Sequence, residues 1–545
     1  MSRLATPGPL EGRRRDLETL GREEWDLVVV GGGIVGAGVL LDATSRGLRA
    51  VLVEQEDIAS GTSSKSSRLI HGGLRYLEQF HFGLVREALS ERSRLMRLAP
   101  HLVRPEKFLF PVYGLPAIHR LFYGSGMILY DLLGSARDVG RSRHLAAGAT
   151  LELAPDLRRD GLRGGILYHD AVDDDARYTV AVVRTALSRG ALALTRVQAI
   201  SVQEEGGSLA GLRVRDALSG DELPVRTRRI VDATGVWAAR ADRAFAGTPA
   251  TLVPSRGSHL IVRRDRLPLR HGLTIRVPGK VVFIIPWNAY WLIGTTDHPD
   301  AGIPEHVAAT PAEVDELLAA VNGTLHVDLA RGDLVGTYAG FRPLVGTARR
   351  GSTVTVSREH RVQVDRPGLV RVSGGKYTTY RVMAADAVDA ALGQEAKRRP
   401  STTDDLPIIG GSDSATLTAL AASLSAAGLD APAAERLVAR HGTQAADVVE
   451  LGKATETLRR IGPGIDQLEA EVVWAVRREL ALGLDDMLAR RTRLAQELPD
   501  RGASIVERVS ALIATELGWD EPQRSAEVER YLASARVEYG VPGQP

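Results

Sequence analysis

Three glycines, Gly31, Gly33 and Gly36, form a G-x-G-x-x-G that follows a β-branched run and opens an apolar, helix-length stretch; Glu54 stands 18 residues beyond Gly36 at the end of the next strand-like run. Such a set suits a dinucleotide. The first glycine permits the tight turn, the second lets backbone approach a pyrophosphate at a helix N-terminus, and the third lets the helix lie close on the strand. Glu54 can accept hydrogen bonds from ribose hydroxyls. Residues 61–78, GTSSKSSRLIHGGLRYLE, place hydroxyls (Thr62, Ser63, Ser64), a turn at His71 and an Arg75-Tyr76 pair in one loop. Hydroxyls and amides suit an isoalloxazine ring, glycines permit close approach, and Arg75 offers a fixed positive fork to an anion.

The elements that must position these groups are readable in outline. From Asp26 the pattern is strand, glycine turn, helix, strand. Strand-like segments recur at Arg228 to Gly235, Lys280 to Pro286, Tyr290 to Gly294 and Gly368 to Gly374, mixed with helical stretches at Phe82 to Leu98 and Ala176 to Ser188. This is an α/β part. After Arg399-Pro400 the sequence turns alanine- and leucine-rich with helical spacing, including Glu471 to Leu494 and Ile505 to Leu517, and predicts a separate helical domain over 401–545. The fingerprint alone leaves NAD and FAD open. Its place at the start of the folded region, with IVDATG at 230–235 much later, predicts a dinucleotide domain built from dispersed segments, and therefore FAD; Gly235 then returns beside the dinucleotide.

Composition narrows the chemistry. The 545 residues include no cysteine, which excludes disulfides, thiolate-bound clusters and a cysteine nucleophile. Residues 401–545 carry a net −8 and residues 1–400 a net +10; this suits an anionic substrate or lipid surface but is too mild for nucleic acid. Residues 1–22 lack the apolar core of a signal peptide and read as a flexible cytoplasmic lead. The run from Leu27 to Leu41 contains five glycines and is too short to span a membrane. Asp173, Asp174 and Asp175 read as a solvated helix start, with no metal expected. Pro116 to Gly134 suits a monotopic membrane patch, or equally a buried helix.

The loop 61–78, with IPW at 285–287, IGTTD at 293–297, GFRPL at 340–344, SGGKYTTYR at 373–381 and EVVWAVRRELALGLDDMLARRTRL at 471–494, resembles the FAD-dependent glycerol-3-phosphate dehydrogenase family from about Trp25 onward. Val35 and Tyr377 depart from the family's commoner asparagine and leucine without removing a charge or the glycine geometry. The resemblance implies an α/β fold: a dispersed Rossmann-like FAD-binding domain of the D-amino-acid-oxidase-like superfamily over 23–400, interleaved with a mixed-sheet substrate domain (cap segments roughly 80–165 and 245–340). An all-helical domain follows at 401–545.

It further implies oxidation of sn-glycerol 3-phosphate to dihydroxyacetone phosphate, with electrons passed from FAD to a membrane quinone. The aerobic, single-subunit type is expected, since relatives with iron–sulfur clusters need cysteines. A phosphomonoester bears about two charges near neutrality and calls for several cations; Arg75, Arg342, Arg358 and Lys376 fall in the matching stretches. His259 is the expected base toward the carbon-2 hydroxyl, with an ordinary pKa near 6.5. His71 is the rival base, though a cofactor contact fits its loop better, and Tyr76 shapes the pocket or hydrogen-bonds the substrate. Gly375, Lys376 and Thr378 begin a helix whose amides and dipole suit the charge that builds on a reduced flavin. The implied setting is cytoplasmic, peripheral to the inner face of the cell membrane, with a homodimer possible. The alternatives are a glycerol-3-phosphate oxidase using oxygen, a flavin amine or amino-acid oxidase, and a flavoprotein retained as a binding module.

Overall fold

The computed structural model describes residues 8–73, 81–114, 140–238, 241, 245, 252–278, 280–300, 302, 306–346 and 359–544. Arg75, Tyr76, Arg358 and the stretch Pro116 to Gly134 lie outside them.

Two sheets face each other across the site. The first has six strands in the order His360–Arg366, Leu369–Gly374, Ile230–Asp232, Leu27–Val30, Ala50–Val53, Leu192–Leu194. All neighbours are parallel except the outermost pair at His360–Arg366. Leu27–Val30 and Ala50–Val53 are buried throughout, as strands covered on both faces must be. Helices Ile34–Ser45, Asp175–Leu187 and Tyr380–Leu392 pack together in the core beside this sheet. Because the neighbouring strands begin at residues 27, 230 and 369, the FAD-type domain is dispersed as expected.

The second sheet has ten strands, drawn from residues 69–70, 104–172 and 252–345. It is mixed: Arg104–Tyr113 runs antiparallel to Leu162–Val172 and parallel to Gly272–Val277. It therefore reaches beyond both expected cap segments. A third, four-stranded sheet joins Glu24–Trp25 to residues 197–227.

Two expectations fail in instructive ways. Residues 9–22, expected as a flexible lead, form a helix from Pro9 to Arg22. Leu20 is fully buried, and Arg13 pairs with Asp216 at 2.6 Å. The recurring charges are the wet face of a helix whose few apolar residues pack on strands. The segment 471–494 is not one helix. Glu469–Arg478 ends, Leu480 adopts a φ of +61°, and the chain resumes as a π-helical turn, Asp486–Arg491. Asp486 helps close the break by accepting from the Leu482 N–H at 2.8 Å. The C-terminal part is helical as read, and it is cored in two ways: Leu437, Val448 and Trp474 belong to a cluster of its own, while Val472, Leu488 and Tyr531 share one cluster with Phe108, Tyr168 and Trp287 of the second sheet.

Candidate active site

A cavity of about 730 Å³ lies between the two sheets and is lined from Gly31, Gly33 and Glu54 on one side to Ser67, His259, Arg342 and Lys376 on the other. The nucleotide side is made mainly by backbone. Gly31 has a φ of +109°, and a Cβ there would come 2.7 Å from the Ala233 carbonyl oxygen. Gly36 does not line the cavity; its absent side chain lets the helix sit down, since a Cβ would meet the Gly31 carbonyl oxygen at 1.9 Å. Gly33 begins the helix Ile34–Ser45 without a side-chain cap, and the Ile34 N–H donates to Ser63 Oγ at 2.9 Å. Gly235, at φ +61°, has open space where a side chain would stand.

Glu54 accepts from Gly32 N–H at 2.5 Å and from Glu56 N–H at 2.8 Å. Burial pushes its carboxyl up to about 7 against those two donors. A buried carboxyl on the cavity wall, an uncapped helix start and glycines that keep the backbone bare fit an adenine dinucleotide, which would supply donors to Glu54 and charge to the helix end.

The loop after Gly61 is anchored on both flanks. Thr62 Oγ1 donates to the Phe341 carbonyl at 2.6 Å. Ser64, expected at the cofactor, does not reach the cavity: its hydroxyl turns back to Gly61, and its carbonyl accepts from Arg493 at 3.1 Å. A short 3₁₀ turn, Thr62–Ser64, rotates it inward. Lys65, which sequence reasoning passed over, lines the cavity, and its Nζ pairs with Glu538 at 2.6 Å. His71 also lines the cavity; its N–H donates to Thr378 Oγ1 at 3.3 Å and its ring meets Phe283 edge-on.

On the far side, paired strands Leu252–Arg263 and Leu334–Val345 bring His259 and Arg342 together. Arg342 donates to Thr295 Oγ1 at 3.0 Å and to the Thr296 carbonyl at 3.2 Å, with Asp297 at 3.6 Å. Gly257 makes room for it, since a Cβ there would come 2.6 Å from the guanidinium. Lys376 follows Gly374 and Gly375, both left-handed, and precedes the 3₁₀ turn Tyr377–Thr379 that runs into Tyr380–Leu392. The expected helix start is present.

His259 is buried; Ser67 Oγ lies 2.8 Å from its Nε2, and its ring stacks on Tyr338 at 4.6 Å. Its pKa is not the ordinary value expected from sequence. Burial, with Arg342 and Arg68 nearby, holds it well below 6.5, so the imidazole is neutral at physiological pH.

Asp173, Asp174 and Asp175 are not a solvated helix start. Asp174 caps the helix Asp175–Leu187 by accepting from the Arg177 N–H, but Asp173 and Asp175 are buried. Arg493 pairs with Asp174 at 2.7 Å and with Asp175. Burial would raise Asp174, yet Arg493, Arg440 and Arg68 outweigh it and hold its carboxyl below the usual range. Burial and the two neighbouring aspartates push Asp173 well above it. Arg490 and Arg491 converge on buried Asp57 at 2.5 and 2.7 Å. The C-terminal segment thus fastens the loop that faces the cofactor. Its sequence signal, ARRTR at 489–493, is visible as a run of basic residues but names no partner. Among the described residues no group of three or more His, Cys, Asp or Glu side chains could hold a metal, and no helix is long and apolar enough to cross a membrane.

Comparison with known proteins follows this geometry. The model of the FAD dependent oxidoreductase family matches residues 26–381, and that of the C-terminal domain of alpha-glycerophosphate oxidase matches 401–524. A protein of Mycobacterium bovis named glycerol-3-phosphate dehydrogenase 2 is 42% identical over 96% of this chain and 90% of its own length. The mitochondrial glycerol-3-phosphate dehydrogenase of Homo sapiens is 33% identical over 93% of this chain and 72% of its own. The crystal structure of the glycerol-3-phosphate dehydrogenase of Bacillus halodurans complexed with FAD superposes with a TM-score of 0.79 at 26% identity, covering 97% of this chain and 98% of that one.

Proposed function

The chain belongs to the FAD-dependent glycerol-3-phosphate dehydrogenase family, and we propose that it oxidises sn-glycerol 3-phosphate to dihydroxyacetone phosphate and delivers the electrons to a membrane quinone. It is an FAD-dependent oxidoreductase. The observation that carries the reading is that Arg342 stands near a buried, neutral His259 in the same cavity that the glycine cradle lines, with Lys376 also on its lining.

FAD, when bound, supplies the hydride acceptor. Arg342 is held by Thr295 and the Thr296 carbonyl with its charge toward the cavity, and with Lys376 it offsets a phosphate dianion. Arg75, Tyr76 and Arg358 complete the substrate set. His259, kept neutral by burial and two arginines, accepts the hydroxyl proton, while Thr62, Ser63 and His71 hold the cofactor's ring. An imidazole of low pKa is a weak base in water, but it is in its acceptor form at every physiological pH. The enzyme then works peripherally on the inner face of the cell membrane, as a homodimer in one expected form.

Anaerobic stopped-flow bleaching of the flavin tests this. Glycerol 3-phosphate should bleach it, while glycerol, lactate and glycine should not; failure with the phosphoester, or equal rates with glycine, overturns the reading. A second acceptor, oxygen, draws support from the match of 401–524 to an oxidase domain. Stoichiometric peroxide after aerobic turnover would favour it over quinone.

A further inference from the structure

We propose that Ser67 relays the substrate's hydroxyl proton to His259, so that the base of this site is a serine–histidine pair and not an imidazole alone. The proposal rests on the alcohol-oxidation reading above.

The two residues come from separate segments of the chain and meet in the cavity wall, with Ser67 Oγ 2.8 Å from His259 Nε2. A neutral imidazole has one lone pair to accept with, on one nitrogen. With the ring proton on Nδ1, that lone pair is on Nε2, within hydrogen-bond distance of the Ser67 hydroxyl. In that tautomer Ser67 takes the one acceptor position of the ring, and its oxygen keeps lone pairs free to accept from a substrate hydroxyl. Nδ1 is buried and has no hydrogen-bond partner among the described residues. The step balances: the substrate O–H proton passes to Ser67 Oγ, the serine's own proton passes to His259 Nε2, and the carbon-2 hydride is taken up by FAD, the oxidant of the proposed reaction, which is thereby reduced. The products are the ketone and an imidazolium.

Both partners are fixed before substrate arrives, as a relay requires. Around Ser67 the backbone is held from three sides. Asp175 accepts from the Ser66 N–H at 2.9 Å, the Tyr338 hydroxyl donates to the Ser66 carbonyl at 2.8 Å, and Ser66 Oγ accepts from the Arg68 N–H at 3.0 Å. Arg68 itself sits at φ +55°, where a side chain is rarely placed, and its guanidinium lies 3.7 Å from the Trp287 ring centre and binds Gln496. The imidazole is clamped between Tyr338, parallel within 7°, and Gly294, where a Cβ would come 2.2 Å from its Cδ2. Sidewise movement of either group is closed off.

The test uses holoenzyme and two readouts: the rate of anaerobic flavin reduction by glycerol 3-phosphate, and the dissociation constant of dihydroxyacetone phosphate from equilibrium titration of the flavin spectrum. Ser67→Ala should reduce flavin at least about 100-fold more slowly, with the product's dissociation constant within about threefold of wild type. Combined with His259→Ala it should be no slower than the slower single variant, because the two act as a unit. Ser67→Thr, which keeps a hydroxyl, should recover most of the rate. A Ser67→Ala rate within about threefold of wild type overturns the relay. So does a Ser67→Thr variant as slow as Ser67→Ala, which would mean that the serine only fills space. A normal Ser67→Ala rate beside a slow His259→Ala rate removes the relay and leaves the reading above intact. Normal rates in both remove His259 from the chemistry as well.

Discussion

The two sides of the cavity are built from different materials. On the glycine side, residues 26–54 fold as one continuous piece and present main chain to the cavity, and its key positions are those where nothing may be added: a Cβ on Gly36 would collide with Gly31 at 1.9 Å. On the proposed reacting side, Ser67, His259, Arg342 and Lys376 arrive from separate segments of the chain and present side chains to the cavity, those of Ser67, His259 and Arg342 held by neighbouring groups. The first side should therefore fail when atoms are gained, and the second when atoms are lost.

The largest expected effect tests the second half of that contrast at its outer support. Arg493→Met leaves Asp175 buried without its cation and takes from Asp174 one of the arginines that hold it, and about 3–5 kcal/mol of stability should go with it, read by denaturant unfolding of the holoprotein. A loss under about 1 kcal/mol would mean that the C-terminal arginines are ornament to the site. Arg342→Ala comes next. It should lower kcat/KM for glycerol 3-phosphate by about 2–3 kcal/mol, the worth of a charged hydrogen bond, with FAD still bound. Unchanged kinetics would take Arg342 out of the substrate set.

Gly36→Ala probes the opposite rule. One methyl should cost about 1–3 kcal/mol in FAD affinity by pushing helix from strand, measured by flavin titration of apoprotein; undiminished affinity would show that the turn is slack. The smallest effect concerns Glu54→Gln. In apoprotein, burial holds the Glu54 carboxyl up to about 7, so the folded state keeps a proton that the unfolded chain releases near 4.5. That contribution is full below pH 4.5 and is lost as pH rises through 7. Relative to Glu54→Gln, wild-type apoprotein should thus lose roughly 1–3 kcal/mol between pH 5 and 8. Parallel thermal-melt profiles would mean that Glu54 is ionised throughout.

What could be read in the sequence follows the same divide. The nucleotide cradle was legible because glycine spacing, strand and acid are all local, and the dispersed domain followed from one late glycine turn. The substrate cations emerged from family motifs, since nothing in the sequence alone says that Arg342 lies beside His259; that depends on the register of two strands about 80 residues apart. His259 was assigned an ordinary pKa because burial beside Arg68 is invisible in one dimension. Lys65 and Ser67 were overlooked as members of a hydroxyl-rich loop, and Ser64 was included for the same reason, because a 3₁₀ turn decides which of consecutive serines faces inward. The helix Pro9–Arg22 was missed because its apolar residues are few and its charges many. The break after Arg478 was missed because no local residue pattern announces it: the arginines beyond it are held by buried Asp57, over 400 residues earlier in the chain.

That last separation sets a schedule for biosynthesis. The loop from Asp57 to Arg68 leaves the ribosome early, yet the groups that lock it, Arg490, Arg491, Arg493 and Gln496, are among the last to be made. That lock cannot close until residues 490–496 have been made, so the loop's final form is reached only near the end of synthesis.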